Sequence, residues 1–349
     1  MGILKDCLFC QDINYIDGLI RGYKANFLTN STYQYLTQCE SLEDFKMQLS
    51  STAYGSFLSN VSTLTTSVIA RKATEKLTSE FQYIMSQAVY PLSKFMEYIT
   101  YSYMIDNVIL LITGTLHERD THELLEKCHP LGCFETMPTL CVSKDIEEFY
   151  NNVIIDTPLA LYFKDCLSAV DLNELNIEII RNTLYKAYLE DFYAFCRTLG
   201  GTTFELMSNI LKFEADRRAI NITLNSFSTI LTKETRRKLY PTIGNLYPEG
   251  TYLLSSAESI EEVKLAIKGV PEYYSFFKED ASHENKKSLE DIFSEKEAEL
   301  NKQTFVQQFH FATVYAWVKL FEQEIRNIAF LSECITQNQQ NYATFVSVF

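Results

Sequence analysis

The sequence predicts an all-α protein of three similar helical bundles. Three observations carry that prediction: few helix breakers, apolar residues at helical spacing, and a pattern that occurs three times along the chain. Gly (11) and Pro (7) are both scarce in the 349 residues, and these are the residues that most often interrupt helices or mark tight turns. Apolar side chains recur in steps of three and four at Tyr98, Tyr101, Ile105, Val108 and Ile112. The same steps run through Ile177, Ile180, Leu184, Tyr188, Phe192 and Phe195, and through Phe305, Phe309, Ala312, Ala316 and Leu320. This is the helix period, and nothing comparable alternates at the strand period of two. The 24 Phe and 22 Tyr against 1 Trp predict bulky packing between the helices.

The first copy of the repeated pattern is Ser41-Leu-Glu-Asp-Phe-Lys-Met-Gln-Leu49, followed by Tyr54, Phe57 and Leu58. The second is Ser143-Lys-Asp-Ile-Glu-Glu-Phe149, followed by Asp156-Thr-Pro-Leu159 and Tyr162-Phe163. The third is Ser259-Ile-Glu-Glu-Val-Lys-Leu-Ala-Ile267, followed by Tyr273, Phe276 and Phe277. A serine ahead of acids and an apolar stripe is a helix start, because its oxygen accepts a free amide of the first turn and the acids suit the positive end of the dipole. Ser41 with Asp44 and Ser259 with Glu262 resemble capping boxes, whereas Ile146 takes that position in the second copy. The copies also end alike, with an acid before an apolar helical segment: Asp106, Asp216 and Glu324. The expected bundles span residues 1–118, 119–226 and 227–349, with joints near Thr113–Arg119 and Ser226–Arg237. Residues 278–302 are the most charged stretch and are expected to be an exposed helix or a loose insertion with a solvated face.

Net charge is −14, from 45 acids against 31 bases. Such a field repels a phosphate backbone, which argues against nucleic acid as a partner and for a partner with a basic surface. No basic run suits an anionic lipid surface. Nine cysteines without the even spacing of a disulfide framework fit a reducing cytosol. Lys5 and Asp6 stand where a signal peptide would be apolar, and Asp6 takes the place where a myristoylation signal has Ser or Thr. The most apolar stretch, Tyr98–Leu116, is interrupted by Asp106 and Asn107 and reads as too polar for a membrane span.

Several residues suggest chemistry, and each has a structural alternative. Cys7 and Cys10 have CxxC spacing, with Cys128, His129 and Cys133 as further sulfur and nitrogen donors, but no second CxxC completes a zinc set. His117 and His122 are five apart rather than four and do not share a helix face. Glu214, Asp216, Arg217 and Arg218 form a dense charge cluster beside apolar residues; the arginines favour ion pairing or an interface over acid–base work. Glu190-Asp191 reads as an exposed helix edge, and Gly200-Gly201 belongs to no phosphate-binding loop.

Ordered blocks along the chain resemble the d subunits of vacuolar-type proton ATPases and their relatives, the C subunits of archaeal A-type ATPases. They include Arg21-Gly-Tyr23, Leu42-Glu-Asp-Phe-Lys46, Lys94-Phe-Met-Glu-Tyr-Ile-Thr-Tyr101, Met104-Ile-Asp-Asn-Val108 and Cys128-His-Pro-Leu-Gly132. Further along come Met137-Pro-Thr-Leu140, Asp156-Thr-Pro-Leu-Ala160 and Asn176-Ile-Glu-Ile-Ile-Arg-Asn182. The most typical are Tyr185-Lys-Ala-Tyr-Leu-Glu-Asp-Phe-Tyr193, Phe213-Glu-Ala-Asp-Arg-Arg-Ala-Ile-Asn-Ile222, Ala316-Trp-Val-Lys319 and Glu322-Gln-Glu-Ile-Arg-Asn-Ile328. Met1–Cys10 and residues 278–302 depart from the pattern.

The resemblance implies a funnel of three helical bundles in pseudo-threefold arrangement. It implies a non-catalytic piece of a central stalk, on the cytoplasmic face of a vacuolar or other endomembrane, between the D and F shaft subunits and the proteolipid c-ring. No cofactor is implied. Helices from the two ends of the chain lie close in that fold, and Cys39 and Cys334 each flank a matching block, so the resemblance also places their Cα atoms within disulfide reach. Two other readings remain open at the sequence level. One is a helical-repeat adaptor unrelated to proton pumps, separable by its purification partners. The other is a metal- or thiol-dependent enzyme using Cys7, Cys10 and Cys128, separable by a metal assay.

Overall fold

The computed structural model describes residues 14–59, 61, 64–140, 157–163, 174–227, 229, 231–277, 287–337 and 345–349. Every regular element among these residues is helical. The chain divides into two compact units, Met1–Met96 with Glu279–Phe349, and Glu97–Lys278. The expected division into three bundles is a different partition, and the second copy's start, from Ser143 to Asp156, lies outside the described residues.

The first unit begins with α1 (residues 14–24), α2 (Asn30–Leu36), α3 (Leu42–Ser50), α4 (Gly55–Leu58) and α5 (Thr66–Gln87). Each longer start has a hydroxyl cap: Thr29 accepts from Thr32 N–H, Ser41 from Asp44 N–H at 3.1 Å, and Thr65 from Val68 N–H. Helix α5 buries Ile69, Ala73, Leu77, Phe81 and Ile84, a stripe in steps of three and four.

Helix α6 (Leu92–Leu116) carries the boundary between the units after Met96. Its length and mean hydropathy of 1.3 over the most apolar window satisfy the composition of a membrane span, which corrects the expectation of a stretch too polar for one. Ile105, Val108, Ile109 and Leu111 are nevertheless buried completely within the protein, so these side chains serve a core. The expected joints coincide with helix ends. After α6 the chain turns at Glu118, in the left-handed region at φ 53°, and restarts as α7 (Thr121–Lys127), capped by Asp120. Short helices α8 (Met137–Leu140) and α9 (Ala160–Phe163) precede the long pair α10 (Glu174–Leu199) and α11 (Gly201–Asn225). Gly200 and Gly201, at φ 65° and 52°, let the chain reverse between them; a side chain at either position would be strained. The unit ends with α12 (Lys233–Leu239), α13 (Glu249–Ser256), α14 (Ile260–Ala266) and α15 (Pro271–Phe276).

Ser259 caps α14 through Glu262 N–H with backbone angles of −140° and 160°. Ser41 caps α3 with −139° and 160°. The two described starts of the repeated pattern are therefore built alike. Further acid support also appears in both, from Asp44 Oδ2 accepting the Ser41 hydroxyl and Glu262 Oε2 accepting Glu258 N–H.

The chain returns to the first unit with α16 (Leu289–Thr304) and α17 (Ala312–Thr336). Within the charged stretch 278–302, helix α16 takes the first of the two expected forms, a helix, while residues 278–286 lie outside the described residues. Ser288 and Asp291 close a full capping box, and the helix buries Phe293, Ala298, Asn301 and Thr304, with Glu290 and Glu299 exposed and Lys296 and Glu297 largely covered. A sparse stripe within a charged run is enough when it meets a helix as apolar as α17, whose Trp317, Leu320 and Ile328 are fully buried. The expected single stripe through Phe305 and Phe309 is also broken. Residues 305–311 leave the helix, and Phe309 stands exposed at φ 63°. Arg21 donates to the carbonyls of Phe305 and Gln307, and His310 Nε2 meets Thr304 O at 3.0 Å. The carbonyls freed at the break are thus met by a side chain from the opposite end of the sequence, which no local pattern announces.

Candidate functional site

Helix α17 is the apolar centre of the first unit. Trp317 stacks on Tyr23 at 5.6 Å and meets Phe321 edge-on at 5.8 Å, and Phe321 meets Phe27 and Tyr54 edge-on. Each such ring contributes about 1.5–3 kcal/mol by burial alone. Among these rings sits Glu324, 1% exposed. Its Oε2 accepts Leu28 N–H at 2.7 Å, and its Oε1 accepts the Tyr54 hydroxyl at 2.7 Å. Burial pushes its carboxyl up to about 7, against the opposing pull of these two donors and Lys76. Lys76 is itself buried, pairs with Glu80 at 2.7 Å and lies over the Phe321 ring at 4.5 Å.

The second unit repeats this arrangement. Asp216 on α11 is 1% exposed. It accepts Asn245 N–H at 2.8 Å, Leu246 N–H at 3.1 Å and the Tyr273 hydroxyl at 2.9 Å. Burial raises its carboxyl to about 6 against those three donors. Gly244 is required here, since a Cβ at that position would stand 1.9 Å from Asp216 Oδ1. Leu28 and Leu246 each lie thirteen residues before the capping serines Ser41 and Ser259. Tyr54 and Tyr273 each follow the capped helix. Two copies of the pattern are thus held by the same three groups: a buried carboxylate, the backbone ahead of the copy, and a tyrosine behind it.

At the third recurring acid the pattern shifts by one residue. Asp106 accepts the Tyr185 hydroxyl at 2.6 Å, while its neighbour Asn107 makes the backbone clamp. Asn107 Oδ1 accepts His129 N–H at 2.7 Å and its Nδ2 donates to His129 O at 2.9 Å.

The charge cluster seen in the sequence divides between two faces of α11. Glu214 pairs with Arg218 at 2.8 Å and with Arg217 at 3.6 Å, all three partly exposed. Arg218 also stacks on the Tyr185 ring at 3.4 Å. Asp216 joins neither arginine and faces the interior. Glu190 and Asp191 are anchors rather than an exposed edge: Glu190 accepts the Thr242 amide and hydroxyl, both at 2.8 Å, and Asp191 accepts the hydroxyls of Tyr98 and Tyr162 at 3.0 and 2.7 Å. Sequence reasoning missed these because their partners lie 29 to 93 residues away.

Among the other candidates, Cys7 and Cys10 lie outside the described residues. Cys128 is buried, with its thiol donating to Leu124 O, and His129 stacks on Tyr103 at 4.2 Å. No group of three or more His, Cys, Asp or Glu side chains able to hold a metal occurs among the described residues. His117 and His122 are exposed, with His122 beside Glu126. Cys39 and Cys334 are free thiols, half-buried and buried. Burial, assisted by Asp44 and Glu333 respectively, raises both thiols above their usual range.

These buried clamps belong to a chain whose relatives can be identified along nearly its whole length. The model of the family described as ATP synthase (C/AC39) subunit matches residues 16–343. The chain belongs to the C/AC39 family. Among C/AC39 relatives, the V-type proton ATPase subunit d of Neurospora crassa is 56% identical, over 99% of this chain and all of the relative. That of Dictyostelium discoideum is 54% identical over 98% and 96% of the two chains. The C subunit of the A-type ATP synthase of Thermococcus kodakarensis is a distant C/AC39 relative, 21% identical over 90% and 84%.

The Glu324 clamp has a definite pH signature. The folded C/AC39 chain holds this proton more tightly than the unfolded chain, so the contribution of this group to stability is full below about pH 4.5 and is lost as pH rises to about 7. Glu324→Gln keeps an acceptor for Leu28 and a polar group for Tyr54 without the charge. In urea unfolding it is expected to exceed the parent by on the order of 2–3 kcal/mol at pH 8 and to match it near pH 5. An equal effect at both pH values would show that the carboxyl is not raised.

Proposed function

We propose that the chain is the d subunit of a V-type proton-pumping ATPase. In this reading it is a non-catalytic rotor element of the central stalk that couples ATP hydrolysis to proton transport. The observation that carries the proposal is identity of 56% and 54%, over nearly the whole of both chains, to proteins named V-type proton ATPase subunit d. Its partners would be the D and F shaft subunits and the membrane proteolipid c-ring, and its place the cytoplasmic face of a vacuolar or other endomembrane. The fold would be organised as the bundles 1–118, 119–226 and 227–349.

The physics of the chain fits such a task. A torque-bearing piece needs stiffness, which densely packed aromatic helices supply, and contacts that do not slip; it needs no reactive group. Hydrogen bonds from buried carboxylates to separate segments of the chain resist shear in a way that an apolar interface alone does not, because each bond has one register.

We propose further that Cys39 and Cys334 lie within disulfide reach, about 4.4–6.8 Å between Cα atoms. Their raised thiols leave little thiolate at neutral pH, so pairing would be slow and favoured by alkaline pH. Peptide mapping of the oxidised chain without reductant should recover the linked 39–334 pair; modification of both thiols by an alkylating reagent after prolonged oxidation at pH 9 would refute it.

In cells lacking the chain, proton pumping into the acidic organelle should be lost while the catalytic sector keeps its ATPase activity. Gentle detergent extraction should recover the chain with proteolipid and shaft subunits. Normal acidification in its absence would assign it to a different machine.

A further inference from the structure

The hairpin of α10 and α11 brings the start of one helix beside the end of the other, and a pocket of about 280 Å³ opens between them and the segment leading to α12. Three guanidinium groups line it, from Arg181, Arg217 and Arg218, with two carboxylates, from Glu178 and Glu214. Arg181 pairs with Glu178 at 3.2 Å, and Glu214 serves both other arginines. The lining therefore carries a net charge of plus one, on a chain whose net charge is −14. One guanidinium nitrogen, Arg181 Nε, is buried and meets no hydrogen-bond acceptor among the described residues, whereas the buried Arg218 Nε has the Glu214 carboxylate at 2.8 Å. Buried donors of this kind are rare in folded proteins, since each forfeits its hydration without return.

The Arg218 plane is fixed from behind by the Tyr185 ring, which is itself held by the bond from its hydroxyl to Asp106. The remaining wall is mixed: Ile179, Ile222 and Leu239 are apolar, and Asn182, Asn225 and Thr229 are polar. The space corresponds to about nine water-sized groups at ~30 Å³ each.

We propose that this pocket binds a carboxylate carried on a short apolar body. Planar guanidinium matches a carboxylate through two parallel N–H bonds. The net single positive charge suits a monoanion; a phosphate monoester, with nearly two negative charges, would leave an excess next to Glu178 and Glu214. The apolar wall takes the carbon skeleton. The carboxylate has two possible sources, a free small acid or the side chain of an acidic residue reaching in from a neighbouring protein.

The test is calorimetric titration of the purified full-length chain at low ionic strength with hexanoate, with inorganic phosphate, and with a short glutamate-containing peptide flanked by leucines. Saturable binding of hexanoate, weakened at least tenfold in Arg181→Gln and in Arg217→Gln, supports the pocket with a free acid as the source. Binding of the peptide but not of hexanoate, with the same dependence on the two arginines, supports it with a protein side chain as the source. Both arginines are partly exposed, and unchanged thermal unfolding of each variant will show that the fold is intact. Phosphate binding as tightly as either carboxylate, or affinities indifferent to both substitutions, or no binding of any probe, would overturn the proposal. Because the measurement uses the isolated chain, it stands apart from the rotor reading above.

Discussion

A carboxylate buried on a long helix, gripping the backbone of a segment far away in sequence, is the constraint on which each unit is organised. Removing a carboxyl from water costs several kcal/mol, and only a full set of donors offsets it. Glu324 has Leu28 N–H and the Tyr54 hydroxyl; Asp216 has two backbone amides and the Tyr273 hydroxyl. Neither set is complete unless the chain ahead of the repeated pattern and the tyrosine behind it both arrive. An apolar side chain at these positions would tolerate a sliding neighbour. A carboxylate does not, and Gly244 records how closely the backbone must approach it.

The rest of each unit elaborates that constraint. In the first, the aromatic rings around Trp317 and Phe321 dry the surroundings of Glu324 and so strengthen its bonds, while Arg21 fixes the loop that leads into the same helix. In the second, Asp191 and Glu190 on α10 collect the hydroxyls of Tyr98 and Tyr162 and the amide of Thr242, so that α6, α9 and the segment after α12 are each pinned to the same long helix.

What the sequence made legible was local. The hydroxyl caps at Ser41 and Ser259, the stripes along α6 and α10, and the helix ends near residues 116 and 226 each follow from neighbours within a few positions. Even the recurrence of an acid at 106, 216 and 324 was visible. Its meaning was not, because the groups that satisfy Glu324 lie 270 and 296 residues away. The same reason hides the break at residues 305–311, which carries no Gly or Pro and whose carbonyls are met by Arg21. Of Glu214, Asp216, Arg217 and Arg218, the first and the two arginines pair as their charges suggest, whereas Asp216 stands apart because it is not spaced three or four from either arginine and turns to the interior.

Hydrogen exchange of individual backbone amides tests the central claim most directly. The amides of Leu28 and Leu246 lie outside regular helix, where exchange is ordinarily fast. If the buried carboxylates hold the fold together, both amides should exchange only through global unfolding, as slowly as the core of α11 and α17, and should speed up selectively in Glu324→Ala and Asp216→Ala respectively. Exchange of either amide at the rate of an open loop in the unmodified chain would contradict the account.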